Sequence, residues 1–148
     1  MNLEERILEA MKEAMKANDK TRLSTIRMIR SSIKNREIEL RKKLEDEEII
    51  RVIQGMIRKS EEAIEQFQSG GREDLVEKEK REIDILKSFL PQPLSQEELV
   101  RLIDETIQET KATSLKDLGK VMKSIMPKLG GKADGKLVNQ LVKERLSP

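Results

Sequence analysis

Apolar residues recur at three- and four-residue intervals along the whole chain, and nowhere do they alternate for long enough to make a strand. That regularity predicts an all-α protein. Leu3, Ile7, Met11, Ala14 and Met15 form one face of a first helix, opened by Asn2 and Glu5 in the spacing of a capping box. Asn18-Asp19 ends that helix and caps a second, whose inward residues are Leu23, Ile26, Ile29, Ile33 and Leu40. A third begins near Asp46 and places Ile49, Ile53, Met56, Ile57, Ile64 and Phe67 on one side, with Gly70-Gly71 supplying its left-handed stop. A fourth runs from about Glu73 to Leu90, with Leu75, Val76, Ile83, Leu86 and Leu90 inward.

Pro91-Gln92-Pro93 then disfavours helix for the preceding residues and marks a boundary. The expected organisation is an N-terminal domain of about four helices over 1–90, a proline linker at 91–94, and a small three-helix domain over 95–148. Ser95 and Glu98 make another capping pair ahead of Leu99, Leu102, Ile103 and Ile107. Thr113-Ser114 starts the next helix, with Leu115, Leu118, Val121, Met122 and Ile125 inward. Proline lacks the N–H that a helix interior needs, so Pro127 sets the expected end near Met126. Asp134 caps a last helix carrying Leu137, Val138, Leu141 and Val142.

Composition removes whole classes of function. The longest uncharged stretch, Ser88–Gln96, is nine residues, too short to span a bilayer. The acidic opening Met1-Asn2-Leu3-Glu4-Glu5 has no apolar run of the secretory kind. The expectation is a cytoplasmic protein without a membrane role. With no cysteine and no histidine, the chain lacks a thiolate nucleophile, the commonest general base and the commonest metal ligand. With no Trp or Tyr and two Phe, stacking on unpaired bases is excluded as a main mode of binding.

Thirty basic and 28 acidic residues nearly cancel, so local clusters decide attraction to polyanions. Lys111 to Lys136 holds seven lysines against Asp117 and Asp134. Lys116, Lys120 and Lys123 fall opposite the apolar stripe of their helix, and Lys128, Lys132 and Lys136 continue the positive field through the next loop. Gly130, Gly131 and Gly135 permit turns and close backbone approach, while Asp134, as an N-cap, takes the donors a phosphate would want. The anion contacts are therefore assigned to the lysines and the glycines are read as turn residues. The plain alternative is that a lysine stripe is simply the wet side of a helix. A second cluster, Lys20 to Lys43, places Arg27, Arg30, Lys34 and Arg41 on one face. Pairs such as Glu37–Arg41, Glu39–Lys43, Asp74–Lys78 and Glu77–Arg81 read there and nearby as helix support.

The run Lys120-Val121-Met122, Met126-Pro127-Lys128 and Gly131-Lys132-Ala133-Asp134-Gly135, followed by Leu137-Val138-Asn139, resembles the C-terminal signature of the GatB/YqeY family. Leu23 to Met28, Gly71-Arg72 with Asp74-Leu75-Val76, and Phe89-Leu90-Pro91 agree with it, so the resemblance to stand-alone YqeY-like proteins covers essentially the whole chain. It implies that the second part is similar to the tail domain of GatB, which contacts tRNA in the tRNA-dependent amidotransferase. Carbon–nitrogen ligase activity with glutamine as nitrogen donor belongs to that full enzyme, whose ATP- and magnesium-binding portion this chain does not resemble.

No catalytic constellation is present. Gly130-Gly131-Lys132 lacks the upstream glycine and following Ser or Thr of a phosphate-binding loop. The serines lack the glycine-rich surroundings of a nucleophile elbow. The sequence therefore points to a non-catalytic accessory protein, without cofactor or metal, that grips tRNA backbone through its C-terminal lysines. The alternatives are an adaptor for an aminoacyl-tRNA synthetase or amidotransferase, or a part of a carbon–nitrogen ligase system. Oligomeric state is left open.

Overall fold

The structure, a computed structural model, describes residues 1–148. Seven α-helices and one short 3-10 turn account for the regular structure, with no strand. The helices gather into two units, Met1–Leu90 and Pro91–Pro148. None is long and apolar enough to cross a membrane.

The first unit holds α1 (Leu3–Lys16), α2 (Lys20–Leu40), α3 (Asp46–Ser69) and α4 (Glu73–Lys87). α3 and α4 form its most extensive pair, α1 lies along α2, and α2 packs on α4. Each start has a local cause. The Asn2 carboxamide oxygen accepts from Glu5 N at 2.8 Å, and the Asp19 carboxylate accepts from Arg22 N at 3.1 Å. Glu45 and Glu48 cap α3 reciprocally, and the helix begins at Asp46, where it was expected. α3 closes in a Schellman turn, with Arg72 N donating to Phe67 O at 2.8 Å and Gly71 at φ 70°. Ile7, Ile26, Ile29, Ile49, Ile53 and Leu86 are sealed in the core of this unit. Each such side chain contributes about 1.5–3 kcal/mol by leaving water.

Two residues of the expected stripes are exposed to solvent. Met15 is 53% exposed and Leu40 is 39% exposed. Both sit at the end of their helix, where the apolar face runs past its neighbour. Leu44, beyond α2, is buried instead. α2 stops because Arg41 turns left-handed at φ 55°, and this takes Arg41 and Lys43 off the helix. The expected pairs Glu37–Arg41 and Glu39–Lys43 therefore do not form. Glu39 pairs with Arg36 at 2.8 Å, Lys43 reaches Glu4 at 3.8 Å, and the Glu37 carboxylate accepts from Leu44 N at 3.1 Å. In α4, Asp74 pairs with Arg72 and Glu77 with Lys80, in place of Lys78 and Arg81.

The second unit holds α5 (Gln96–Thr110), the 3-10 turn Leu115–Asp117, α6 (Leu118–Leu129) and α7 (Gly135–Leu146). Leu99, Ile103, Val121, Ile125, Val138 and Val142 form its core. Leu94, ahead of α5, packs against the same cluster. Three expectations are corrected here. Leu115 lies in the 3-10 turn, not in a helix, and is 48% exposed. Leu137 is also 48% exposed, because Val138, Val142 and Leu146 make the inward stripe of α7. α6 runs through Pro127 to Leu129. Pro127 removes one bond, to the carbonyl four residues back, but the helix ends two residues later. Burial of Leu129 at 1% exposure holds that final turn in place.

Candidate nucleic-acid interface

The lysines singled out by the sequence are carried by the 3-10 turn, α6, the following loop and the first turn of α7. At about 100° per residue, Lys120 and Lys123 fall opposite the buried Val121–Ile125–Leu129 stripe of α6. Lys116 precedes that helix in the 3-10 turn, Lys132 sits in the loop and Lys136 in the first turn of α7. All five are exposed, and none forms an ion pair.

Lys128 differs. It falls at the flank of the apolar stripe, facing α5, where its ammonium group pairs with the Glu109 carboxylate and lies 3.4 Å from Thr106 Oγ1. Its charge is already paired, which leaves five of the six lysines outside any ion pair. Thr106 is fully buried and donates its hydroxyl proton to Leu102 O at 2.7 Å. A threonine within an apolar stripe carries no sequence signal for that role. Arg145 makes a second link to α5, with Nε 3.5 Å from the Asp104 carboxylate.

The turn leading into α6 is set by Asp117. Its carboxylate accepts from Thr113 N at 2.9 Å. That bond, then the Ser114 N–H and after it the nearby Lys120 charge, holds the acid below the ordinary carboxylate range.

The glycine motif is structural in its details. Gly130 and Gly131 take φ values of 53° and 82°, ending α6 and turning the chain. Lys132 N donates to Leu129 O at 2.9 Å, and Leu94 N donates to Lys132 O at 2.9 Å. The backbone that carries Lys132 is thus fastened on both sides. The Asp134 carboxylate accepts from Lys136 N at 3.2 Å and occupies the helix start, as its position implied. Gly135 faces the Met126 side chain: a Cβ there would stand 3.3 Å from Met126 Cε. Its close approach is to α6, and no free nest of N–H groups results. No group of three or more acidic side chains is arranged to hold a metal ion.

Among known proteins, the family model described as Yqey-like protein matches residues 4–146. The "Altered inheritance of mitochondria protein 41, mitochondrial" of Pyrenophora tritici-repentis is 33% identical over 144 residues, covering 94% of this chain and 78% of that protein. The protein of the same name from Lachancea thermotolerans is 37% identical over 114 residues, covering 72% of this chain and 61% of that protein. The one from Saccharomyces cerevisiae strain YJM789 is 38% identical over 89 residues, covering 59% and 48%. The chain therefore spans between about half and four-fifths of the relatives it matches.

These names overturn the cytoplasmic expectation, since the relatives are called mitochondrial. That expectation rests on a short longest uncharged stretch and on an opening without a secretory apolar run. They carry no information about an organelle reached by an amphipathic, receptor-read address. With the model matched over nearly its full length and a relative above 30% identity across most of both sequences, the chain belongs to the Yqey-like protein family.

Proposed function

We propose that this protein is a non-catalytic accessory factor that binds tRNA, with its C-terminal unit seated on the phosphate backbone. The observation that carries this reading is the set of five exposed lysines, 116, 120, 123, 132 and 136, that form no ion pair. Elsewhere in the same unit, Lys128 and Arg145 are paired. Lysines act on phosphate as point charges and contact it without reading sequence. The scarcity of aromatic side chains fits recognition of a folded RNA by shape. The resemblance of this unit to the GatB tail domain adds support from kinship.

The test is titration of bulk tRNA at 50 and 200 mM salt. Neutralising four to five phosphates implies a loss of roughly 10²- to 10³-fold in affinity across that range. Charge reversal at Lys120, Lys123 and Lys132 together should abolish most of the binding. An affinity indifferent to salt, or to those three substitutions, would overturn the reading.

A docking role toward an aminoacyl-tRNA synthetase or amidotransferase is the second reading. Exposure of Leu115, Met126 and Leu137 favours it. Single exposed apolar residues are common on monomers, which ranks it lower. Capture of a purified synthetase that survives high salt and is lost on Leu115→Ser with Leu137→Ser would raise it above the first.

A further inference from the structure

α2 carries a second unanswered set of cations. From Lys20 to Arg36 its sequence contains six basic residues and no acidic one. Intrahelical pairing is therefore unavailable along most of its length. Two adjoining grooves run beside this segment. The first, about 520 Å³, lies between α1 and α2 and is lined by Arg27, Arg30, Ser31 and Lys34 over the apolar Ile7 and Ile33. The second, about 570 Å³, continues along α2 past Lys20 and Ser24 and shares Arg27 and Ser31 with the first.

The two carboxylates at the first groove are engaged with other groups: Glu4 with Lys43, and Glu37 with the Leu44 backbone N–H. Arg27 and Lys34 form no ion pair, and Arg30 donates only to the Met11 sulfur at 3.4 Å. This contrasts with Arg36, Lys42, Lys43, Arg72 and Lys80 of the same unit, each of which pairs with an acid. The segment Leu23–Met28, singled out in the sequence, divides accordingly. Thr25 and Ile26 are buried, whereas Ser24, Arg27 and Met28 line the groove.

We infer that this strip on α2 is a second phosphate-binding surface, for the backbone of an RNA strand. Arg27, Arg30 and Lys34 are stepped by about 4.5 and 6 Å along the helix axis, a ladder of cations along an extended anion. Guanidinium forks suit phosphate oxygens, and the Ser24 and Ser31 hydroxyls can donate to the same groups. The lining residues are largely exposed, whereas a small phosphorylated molecule is normally enclosed on most sides. An anionic membrane would require a broad apolar face beside the charges, and Met28 is the one large apolar side chain exposed on the strip. The inference rests on the proposed RNA role but places a contact in the other unit.

The experiment compares three full-length proteins for bulk tRNA binding across 50–200 mM salt. They are the wild type, Arg27→Gln/Arg30→Gln/Lys34→Gln, and Lys120→Gln/Lys123→Gln/Lys132→Gln. Glutamine keeps helix propensity at these exposed sites, and far-ultraviolet circular dichroism checks that the fold is retained. The strip predicts that the α2 variant binds about ten- to hundred-fold more weakly, with a log–log salt slope reduced by about two. If the α2 variant binds as the wild type does while the lysine variant is weakened, the strip is wrong and the functional reading stands. The reverse result keeps the strip and removes the lysine site. A wild type that ignores tRNA overturns both. Wild-type binding to phosphatidylserine vesicles in place of tRNA, lost in the α2 variant, would overturn the RNA assignment of the strip.

Discussion

The Lys128 ammonium group is held by the Glu109 carboxylate, joining the last turns of α6 and α5 beside the buried Thr106. The lysine is partly covered and the acid mostly exposed, at 34% and 60% side-chain exposure. A pair this wet contributes at most about 1 kcal/mol to stability. Its larger effect is on the field, because it removes one cation from the lysine-bearing face. Glu109→Gln should therefore leave the unfolding midpoint nearly unchanged. It should tighten tRNA binding several-fold at low salt and steepen the salt slope by about 0.7 to 0.9. Binding isotherms at three salt concentrations decide the point.

Gly131 and Gly135 stand in the same motif and should answer differently to alanine. Gly131 sits at φ 82°, where an L side chain costs about 1–2 kcal/mol, so Gly131→Ala should lower the stability of the second unit by that amount. Gly135 opens α7 with ordinary helical backbone, and its added Cβ would meet only the flexible end of Met126. Gly135→Ala should fall within about 0.5 kcal/mol of the wild type, since helix propensity offsets the contact. Urea unfolding followed by circular dichroism separates the two.

Acid should loosen the entry to α6 through Asp117. Its folded-state pKa is depressed, chiefly by the Thr113 N–H bond, so its stabilising contribution is present above the unfolded value. That contribution is lost as pH falls below about 3.8, the ordinary value for an aspartate, and through the folded one. Asp117→Asn should flatten this part of the stability profile. Glu82 in α4 behaves oppositely. Burial, then the neighbouring Glu79 charge, raises its pKa, so stability falls as pH rises from the ordinary value of 4.5 to the folded one. Glu82→Gln should raise the unfolding midpoint at pH 7, and the gain should shrink near pH 4.

Core and surface leucine or isoleucine positions in the second unit should diverge sharply. Ile125 is fully buried, and Ile125→Ala should cost about 2–5 kcal/mol. Leu115, half exposed, should cost within about 0.5 kcal/mol on change to serine. Chemical denaturation of both variants measures the difference.

Helix identity was legible because periodicity reports which side of a helix is dry, and Ile26, Ile53, Ile103 and Val138 obey it. Periodicity says nothing of where the neighbour ends, which is why Met15, Leu40 and Leu137 read as inward and are not. Proline chemistry told that α6 must stop soon, but not that Leu129 would draw it two residues further. The left-handed residues Arg41 and Lys111 carry no glycine signal, yet Arg41 decides which acids meet which bases after α2. In the candidate site, lysine position on the helix could be worked out from spacing. Pairing could not, because Glu109 lies 19 residues from Lys128 and meets it only once α5 and α6 pack. The α2 strip was visible as a charge cluster. The groove beside it was not visible, because it exists only once α1 and α2 pack.

The bond from Leu94 N to Lys132 O has a practical corollary for anyone trimming the protein. A fragment cut to begin at Ser95, the first capping residue of α5, would discard both the amide and the leucine that hold down the Gly130–Lys132 bend. Such a fragment should show faster amide exchange and easier protease nicking there than one begun at Pro91. The short proline-flanked stretch then counts as a clasp belonging to the C-terminal unit, and expression boundaries should be drawn upstream of it.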